Sequence, residues 1–434
     1  MKRLFFFCIL LNFTAAALAQ PLRLQEAVGI ALKNSLDIQL VKNNLQIADI
    51  NNSTGIAGGL PLVQATGSDN EQSVNVNQKI NTPTGIQNIS RSGATSNQLT
   101  AGVSGSILLY NGLRVVATKQ RLAALEKQSL QYVNSQVQNV IAAVMTSYYD
   151  VVRQQGYIKT IDQSIAVAGK KLEIIRTQQE VGLANNADLF QAQLDLNNLL
   201  QTKQSQQLVI DQAKTGLLTL LTLRPDSVIT ISDTIMVDKS LALGTILEEL
   251  PSNPDIQAAD DQVRINALIE RETAAQRYPT VRASTGYNYS RNQASAGQTL
   301  LNQSNGPFVG ANFIIPIYNG SIYKRQQKIA GINTRNAVLQ KNVLARDYTS
   351  GTVKTFQAYS AALLQLETAK QNLALSQQLL DLVLQRFQLR QATIVDLTLA
   401  QQGFETAAYS LINLSYASKS SEIELKRVVS RLTP

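Results

Sequence analysis

Two aspartates are the side chains best placed to do chemistry. Asp188 follows Asn185 by three positions, and Asp396 follows Thr393 by three. The stretch Val181-Gly182-Leu183 precedes the first pair and Leu389-Arg390-Gln391 the second. An Asp three residues after Asn or Thr marks a helix start, in which the earlier side chain accepts a hydrogen bond from the later N–H. A carboxylate in the first helical turn is also favoured by the helix dipole. Carboxylates could serve as general acids or bases, yet no further catalytic partner accompanies them. The chain has no histidine, and its one cysteine is Cys8. Cys8 lies inside the segment read below as a cleaved signal, so the chain beyond it has neither residue, which rules out His- or Cys-dependent nucleophiles and zinc sites of the Cys/His type. Beyond Met1, methionine is limited to Met145 and Met236, so no methionine-rich metal path exists. The expectation is a protein without cofactor or metal, and not an enzyme.

Compartment comes next. Lys2 and Arg3 precede the apolar run Leu4 to Leu11, and Ala17-Leu18-Ala19 supplies small residues for cleavage. Residues 1–19 therefore read as a secretory signal removed before Gln20. The formal net charge is +9, or +7 without Lys2 and Arg3. A basic balance can indicate nucleic acid, but export argues against it. Outside the signal, no stretch approaches the roughly 18 apolar residues of a transmembrane helix. Any membrane-spanning segment must then be a β-strand. Without disulfides, stability has to come from packing or assembly.

The elements that must carry these aspartates are read from a repeat. Asn34-Ser35-Leu36-Asp37-Ile38-Gln39 resembles Ser252-Asn253-Pro254-Asp255-Ile256-Gln257 at an offset of 218. Tyr110-Asn111-Gly112 recurs as Tyr318-Asn319-Gly320 at an offset of 208, which also pairs Asp188 with Asp396. A period of this length is a duplication rather than a solenoid. It gives a first repeat over 20–222, a linker over 223–248 and a second repeat over 249–434. Each half reads helix, strand, loop, strand, very long helix, turn, helix. No proline interrupts 84–224 or 317–433, so long helices are allowed there. Val116, Ala123, Leu130, Val137, Val144, Val151, Ile158, Ile165 and Leu172 recur every seven residues, and a similar series runs from Val338 to Phe387. A sustained heptad means coiled-coil packing.

The strand regions alternate instead. Val281, Ala283, Thr285, Tyr287 and Tyr289 interleave with Arg282, Ser284, Gly286, Asn288 and Ser290; Val103 to Leu109 and Val309 to Ile317 behave similarly. One apolar and one small or polar face suits a strand between lipid and a wet lumen, and equally a half-buried strand of a sandwich. Residues 70–97 and 291–305, rich in Asn, Ser, Gln and Gly, read as polar loops. Basic residues follow each Tyr-Asn-Gly: Arg114, Lys119 and Arg121, then Lys324, Arg325 and Lys328. They read as ordinary helix charge or as interface anchors.

This organisation resembles the TolC-like outer-membrane efflux proteins over nearly the whole chain beyond residue 19. The resemblance rests on the duplicated order of elements, the two Tyr-Asn-Gly strand ends, Val181-Gly182-Leu183 before Asp188, and Thr393-Ile394-Val395-Asp396 in the second half. It implies a mixed α and β membrane protein: a trimeric 12-stranded β-barrel, four strands per chain, continued by a periplasmic α-helical coiled-coil barrel. Four strands alone cannot close a membrane barrel. The implied role is the exit duct of a tripartite efflux pump, partnered by a periplasmic adaptor, an inner-membrane pump and outer-membrane lipid. Asp188 and Asp396 would then flank the periplasmic entrance. Val181, Gly182, Leu183, Leu389, Arg390 and Gln391 would form the adaptor-docking tips. Tyr110, Tyr318, Tyr287 and Tyr289 would anchor the barrel at the membrane interfaces. The family's glycine in the second tip is replaced by Arg390, and Phe387, Ala392 and Ala187 stand where relatives can place entrance-locking polar groups. Type I protein secretion is an alternative within the same architecture. An exported coiled-coil protein without a pore is an alternative outside it.

Overall fold

The computed structural model describes residues 22–433; the segment read as a signal lies outside them. In chain order the elements are α1 (Leu24–Asn34), α2 (Leu36–Asn51), β1 (Leu62–Thr82), β2 (Gly85–Tyr110), α3 (Arg114–Glu180), α4 (Asn186–Leu220), α5 (Leu243–Glu249), α6 (Pro254–Ala275), β3 (Thr280–Ala294), β4 (Leu301–Ile314), α7 (Ile322–Gln388) and α8 (Ile394–Val428). In the two long helical hairpins the duplication holds to the residue. Adding 208 to the bounds of α3 gives those of α7, and adding it to those of α4 gives those of α8. The two long helices have 67 residues each, about 100 Å at about 1.5 Å per residue.

The same offset governs the turns. Left-handed backbone occurs at Gly112 and Leu113 and again at Gly320 and Ser321, at Gly182 and again at Arg390, at Thr222 and again at Ser430. Two consecutive left-handed residues after Asn111 and Asn319 make a mirror-image turn, closed by bonds from Arg114 N to Asn111 O and from Ile322 N to Asn319 O. At the far ends of α3 and α7, one left-handed residue stops the helix. Leu183 N then reaches back to Gln178 O at 2.7 Å, and Gln391 N to Arg386 O at 2.7 Å. This is the six-to-one bond of a glycine-type helix stop. Arg390 adopts it at φ 60, so the departure from glycine changes the side chain and leaves the turn intact.

The chain divides into two units. The first comprises the described residues up to Val41, Val133–Pro254 and those from Ala345 on. Its core gathers Val144, Tyr148 and Val151 of α3 with Ala27 and Ala31 of α1, Leu217 of α4 and Ile423 of α8. The linker is an extended strap over this core. Ile231 is buried, and Ile229 and Ile235 pack against the same cluster. Between them Asp233 meets the hydroxyl of the fully buried Tyr148, which also lies 2.9 Å from Leu22 O. Burial first, and Asp233 second, push the Tyr148 pKa far above its usual value. Further along, Asp238 O accepts from Tyr359 and the Asp238 carboxylate from Lys426, while Asp238 N donates to the buried Glu422 at 2.9 Å.

The second unit comprises Lys42–Tyr132 and Asp255–Leu344. It holds one antiparallel sheet in the order β1-β2-β3-β4. Register places Ala65, Val103, Tyr287 and Pro307 in one row, and Val63, Gly105, Thr285 and Val309 in the next. Opposed residues share a face, so the apolar residues of all four strands fall together. Gln64, Ser104, Gly286 and Phe308 form a row of the other face. A Cβ on Gly286 would come within 2.4 Å of Val103 O and 2.8 Å of the Phe308 ring, so glycine is required where that aromatic covers the strand. Below the sheet, α6 lies between α3 and α7. Arg121 meets Glu272 at 2.7 Å and Lys127 meets Asp261 at 2.9 Å on one side, and Lys341 meets Asp260 at 2.6 Å on the other. Lys119 Nζ reaches Asn52 O, just past α2, at 3.0 Å. The helices therefore follow the order α2, α3, α6, α7, matching the strands.

Two expectations are corrected. Residues 70–97 are strand, not loop: β1 and β2 stay paired up to Thr82 and Gly85, with a bulge between Val74 and Val76. Likewise only residues 295–300 separate β3 from β4. Polar side chains argue against burial but not against a ladder, and here they reinforce it, as in Ser68–Thr100 at 2.7 Å and Asn97–Asp69 at 2.7 Å. Ile315 and Ile317 lie beyond the strand, because Pro316 has no N–H to continue the ladder. The heptad positions Val116, Ala123 and Leu130 are exposed in the chain, whereas Val144 and Val151 are buried.

Two outcomes test this account. Gly182→Ala should destabilise by about 1 kcal/mol and Arg390→Gly should stabilise by about 0.5–1 kcal/mol, read as opposite shifts of the thermal midpoint by circular dichroism. Tyr148→Phe keeps the packing but removes the donor to Asp233, a loss of about 1–3 kcal/mol. Limited proteolysis should then cut faster within residues 223–242; an unchanged pattern would mean that apolar seating alone holds the strap.

Candidate functional site

The two helix tips belong to the first unit and are joined just behind the turns. Ile175 of α3, Ala192 of α4, Leu380, Leu384 and Phe387 of α7, and Leu397, Ala400 and Phe404 of α8 form one apolar cluster. Ala392 packs against its edge. Phe387 and Ala392 are thus structural apolar residues in this chain. In front of the cluster, Val181, Leu183 and Leu389 are all exposed, with Gly182, Arg390 and Gln391 beside them.

Each return helix starts with the cap its sequence announces. Asn185 Oδ1 accepts from Asp188 N at 2.8 Å. Thr393 Oγ1 accepts from Asp396 N at 3.1 Å, and the Asp396 carboxylate accepts from Thr393 N and from the Thr393 hydroxyl, both at 2.8 Å. The second cap is therefore a full reciprocal box, and the first is half of one. The bond from the Thr393 N–H, followed by that from its hydroxyl, holds the Asp396 carboxyl below its usual pKa. Asp396 is exposed and charged at neutral pH. Asp188 is half-buried, and among the described residues its carboxylate takes part in no ion pair. The matched spacing conceals this difference. Leu399, one turn past Asp396, is exposed on the same helix.

Sequence reasoning missed a buried charge near the tips. Lys171 of α3 is only 1% exposed. Its Nζ meets Asp195 of α4 at 2.6 Å and lies 3.5 Å from Thr398 Oγ1 of α8. The heptad reading found its neighbour Leu172 and passed over the lysine. A usable signal was present all the same: Lys171 and Asp195 stand equally far from Leu183 in the turn, so an antiparallel hairpin centred there must bring them level.

In the second unit, the four tyrosines bracket the apolar face. Tyr110 pairs with Val281 at the foot of the sheet, and Tyr318 is exposed just past β4. Tyr287 and Tyr289 lie opposite Val103 and Ala101, and the next residue on that face is Arg291. From Val281 to Tyr289 is nine residues, within the roughly 9–11 of a tilted strand that spans a bilayer. Of the basic residues after the turns, Lys119 and Arg121 are held by Asn52 and Glu272, whereas Arg114, Lys324, Arg325 and Lys328 are exposed. Among the described residues no helix is long and apolar enough to cross a membrane, and no cluster of His, Cys, Asp or Glu is suited to a metal ion.

Comparison with known proteins agrees with this geometry. Outer membrane protein TolC of Vibrio cholerae serotype O1 is 24% identical over 356 residues, covering 78% of each chain. The solved structure of CusC, described in terms of transmembrane channel formation, superposes with a TM-score of 0.79 at 16% identity, covering 95% of this chain and 92% of that one. The outer membrane protein VceC of Vibrio cholerae gives 0.77 at 18%, covering 94% and 96%. The open-state MtrE outer membrane channel of Neisseria gonorrhoeae gives 0.70 at 15%, covering 95% and 89%. At these identities the structures establish the shared fold. The model of the outer membrane efflux protein family matches residues 27–222 and 245–430, one match in each half of the duplication; the chain belongs to that family, and its membership implies a place in the outer membrane.

Proposed function

We propose that the protein is the outer-membrane exit duct of a tripartite efflux pump, working as a homotrimer. The observation that carries this reading is the sheet: four strands, one apolar face, and an edge on β1 and on β4 that no strand among the described residues fills. In a bilayer such edges have to be paired, and three copies give twelve strands, an even number within the range of such barrels. Tyr110 and Tyr318 would then mark the inner interface and Tyr287 and Tyr289 the outer one. The helices would extend into the periplasm, ending at the Val181–Leu183 and Leu389–Gln391 tips. Their exposed apolar residues suit docking by a periplasmic adaptor that links the duct to an inner-membrane transporter. Type I protein secretion uses the same parts, and cross-linking followed by identification of the co-purified transporter separates the two.

At the entrance, trimerisation would multiply Asp188 and Asp396 into six carboxylates, a ring that draws cations and that divalent cations can bridge. Native mass measurement in mild detergent should give three chains, and planar bilayers should show a cation-preferring conductance blocked by divalent ions. The Asp188→Asn, Asp396→Asn double variant keeps polar capping groups and loses the charge. It should still assemble as a trimer while losing both the preference and the block. A stable monomer overturns the duct; unchanged selectivity overturns the ring alone.

A further inference from the structure

The sheet carries its charges unevenly. In β1 up to Val74, in β2 from Ala94 on, and in the whole of β3 and β4, the charged residues are Asp69, Glu71, Arg282 and Arg291. Asp69 and Arg291 share a row with Leu99 and Gln303, on the face of Val63 and Ala65, and Glu71 lies on the next row of that face. Arg282 stands alone on the other face, in the row Leu108–Arg282–Asn312. From there up to the row of Asn70, every residue of that face is neutral, and apart from Leu62 and Phe308 small or polar. The Arg282 guanidinium is exposed and, among the described residues, forms no ion pair. Its Nη1 donates to Ser106 Oγ at 3.3 Å. A guanidinium carries five donors, and one hydroxyl takes one. Two apolar side chains flank this cation. Ser106 lies opposite Leu62, which is 57% exposed. Gly286 lies diagonal to Ser106 across β2 and β3, and the Phe308 ring covers it; diagonal positions are roughly 7–8 Å apart.

We propose that Arg282 is an anion site on the wall of the duct, and that with Leu62 and Phe308 it takes an organic anion with an apolar body, an aromatic or alkyl sulfonate or carboxylate. The inference rests on the duct reading, in which the face of Val63 and Ala65 meets lipid and the face of Arg282 lines the lumen. It deepens that reading by naming a class of cargo that this wall holds in passing. Three copies set three guanidinium groups around one level of the lumen, and a ring of like charge selects for the opposite sign. No carboxylate of the sheet shares that face, so nothing on the wall offsets the ring. The planar fork of donors matches a carboxylate or sulfonate. The apolar body of the same molecule then lies along Leu62 on one side and the Phe308 ring on the other. Gly286 is part of the site, because only a residue without a Cβ lets that ring lie flat beside the cation. The charge is opposite in sign to the carboxylates of the helix tips, so its removal strengthens a cation preference where removal of theirs weakens it.

Planar bilayers test both consequences, with native mass in mild detergent as the control for assembly. Naphthalenesulfonate should block the potassium chloride current of the parent, and inorganic sulfate, which has the charge without the apolar body, should block it far less. Arg282→Gln keeps a donor for Ser106 and loses the charge. It should weaken the naphthalenesulfonate block about tenfold, the worth of one charged hydrogen-bond contact, and raise the preference for potassium over chloride. Phe308→Ala should weaken the naphthalenesulfonate block several-fold and leave the ion preference as it is. If Arg282→Gln does not assemble, Arg282→Lys reads the same contact: it keeps the charge and the ion preference and loses the fork, so the block weakens. A block and an ion preference that both survive the loss of the Arg282 charge overturn the site and leave the duct standing. Equal block by inorganic sulfate overturns the part given to Leu62 and Phe308. Trimers without conductance, or a native mass of one chain, overturn the duct reading and the inference with it.

Discussion

Every strand offers backbone donors and acceptors on two sides, and inside a bilayer only another strand can take them up. In this chain that requirement is met at three junctions and left open at two edges, those of β1 and β4. The remainder of the architecture is arranged around that deficit. Around the rows of Val63 and Ala65 the apolar side chains gather on one face, with Phe308 on the other, and Val63, Val103, Tyr287 and Val309 are exposed in the chain. The helices beneath follow the strands in the same order, so what closes the strands also closes the helices. Neither half could do this alone, because each supplies a single hairpin. Duplication in one chain followed by assembly of several copies builds a closed wall from the fewest distinct contacts.

The junction between strand and helix is where backbone conformation matters most. A strand that ends at Tyr110 must give way to a helix within a few residues, and two successive left-handed residues, Gly112 and Leu113, accomplish it. The copy near Tyr318 uses Gly320 and Ser321. Only the first position of each pair is glycine. The second tolerates leucine or serine because the turn bond and the helix that follows hold it in place, at a cost on the order of 1 kcal/mol. Arg390 belongs to the same class: its conformation is dictated by the hydrogen bonds that end α7 and begin α8, whatever side chain is attached. Side-chain chemistry at the tips can thus drift while the geometry stays fixed.

Legibility in the sequence followed the kind of force at work. The long helices were readable because a heptad and the absence of proline leave few alternatives, and both caps were readable because Asn185 and Thr393 act on residues only three positions away. The extent of β1 and β2 was not readable. Between Asp69 and Asn97 polar side chains outnumber apolar ones on both faces, and the ladder is held by backbone bonds that leave no mark on composition. Burial of the heptad was only half readable: periodicity shows which residues line up on one side of a helix, not what that side faces, so Val144 and Val116 look alike. The strap over residues 223–242 follows distant partners such as Tyr148 and Glu422, for which no local pattern exists.

The buried charges answer a weakness that heptads create. An apolar stripe repeated every seven residues packs almost as well after a slip of one repeat, so length alone does not fix how α3, α4 and α8 align. Lys171 restricts that freedom, because a buried ammonium without a partner costs several kcal/mol, and the observed register brings Asp195 to it. Glu422 does the same farther from the tips. It accepts from Lys419 at 2.9 Å and Lys426 at 2.8 Å within α8 and from Asp238 N of the strap at 2.9 Å. Such groups add little net stability over well-packed apolar residues. Their effect lies in the alternatives they exclude: two points on a helix hairpin, one near the tips and one at the strap, are enough to hold a long stripe of interchangeable contacts in a single alignment.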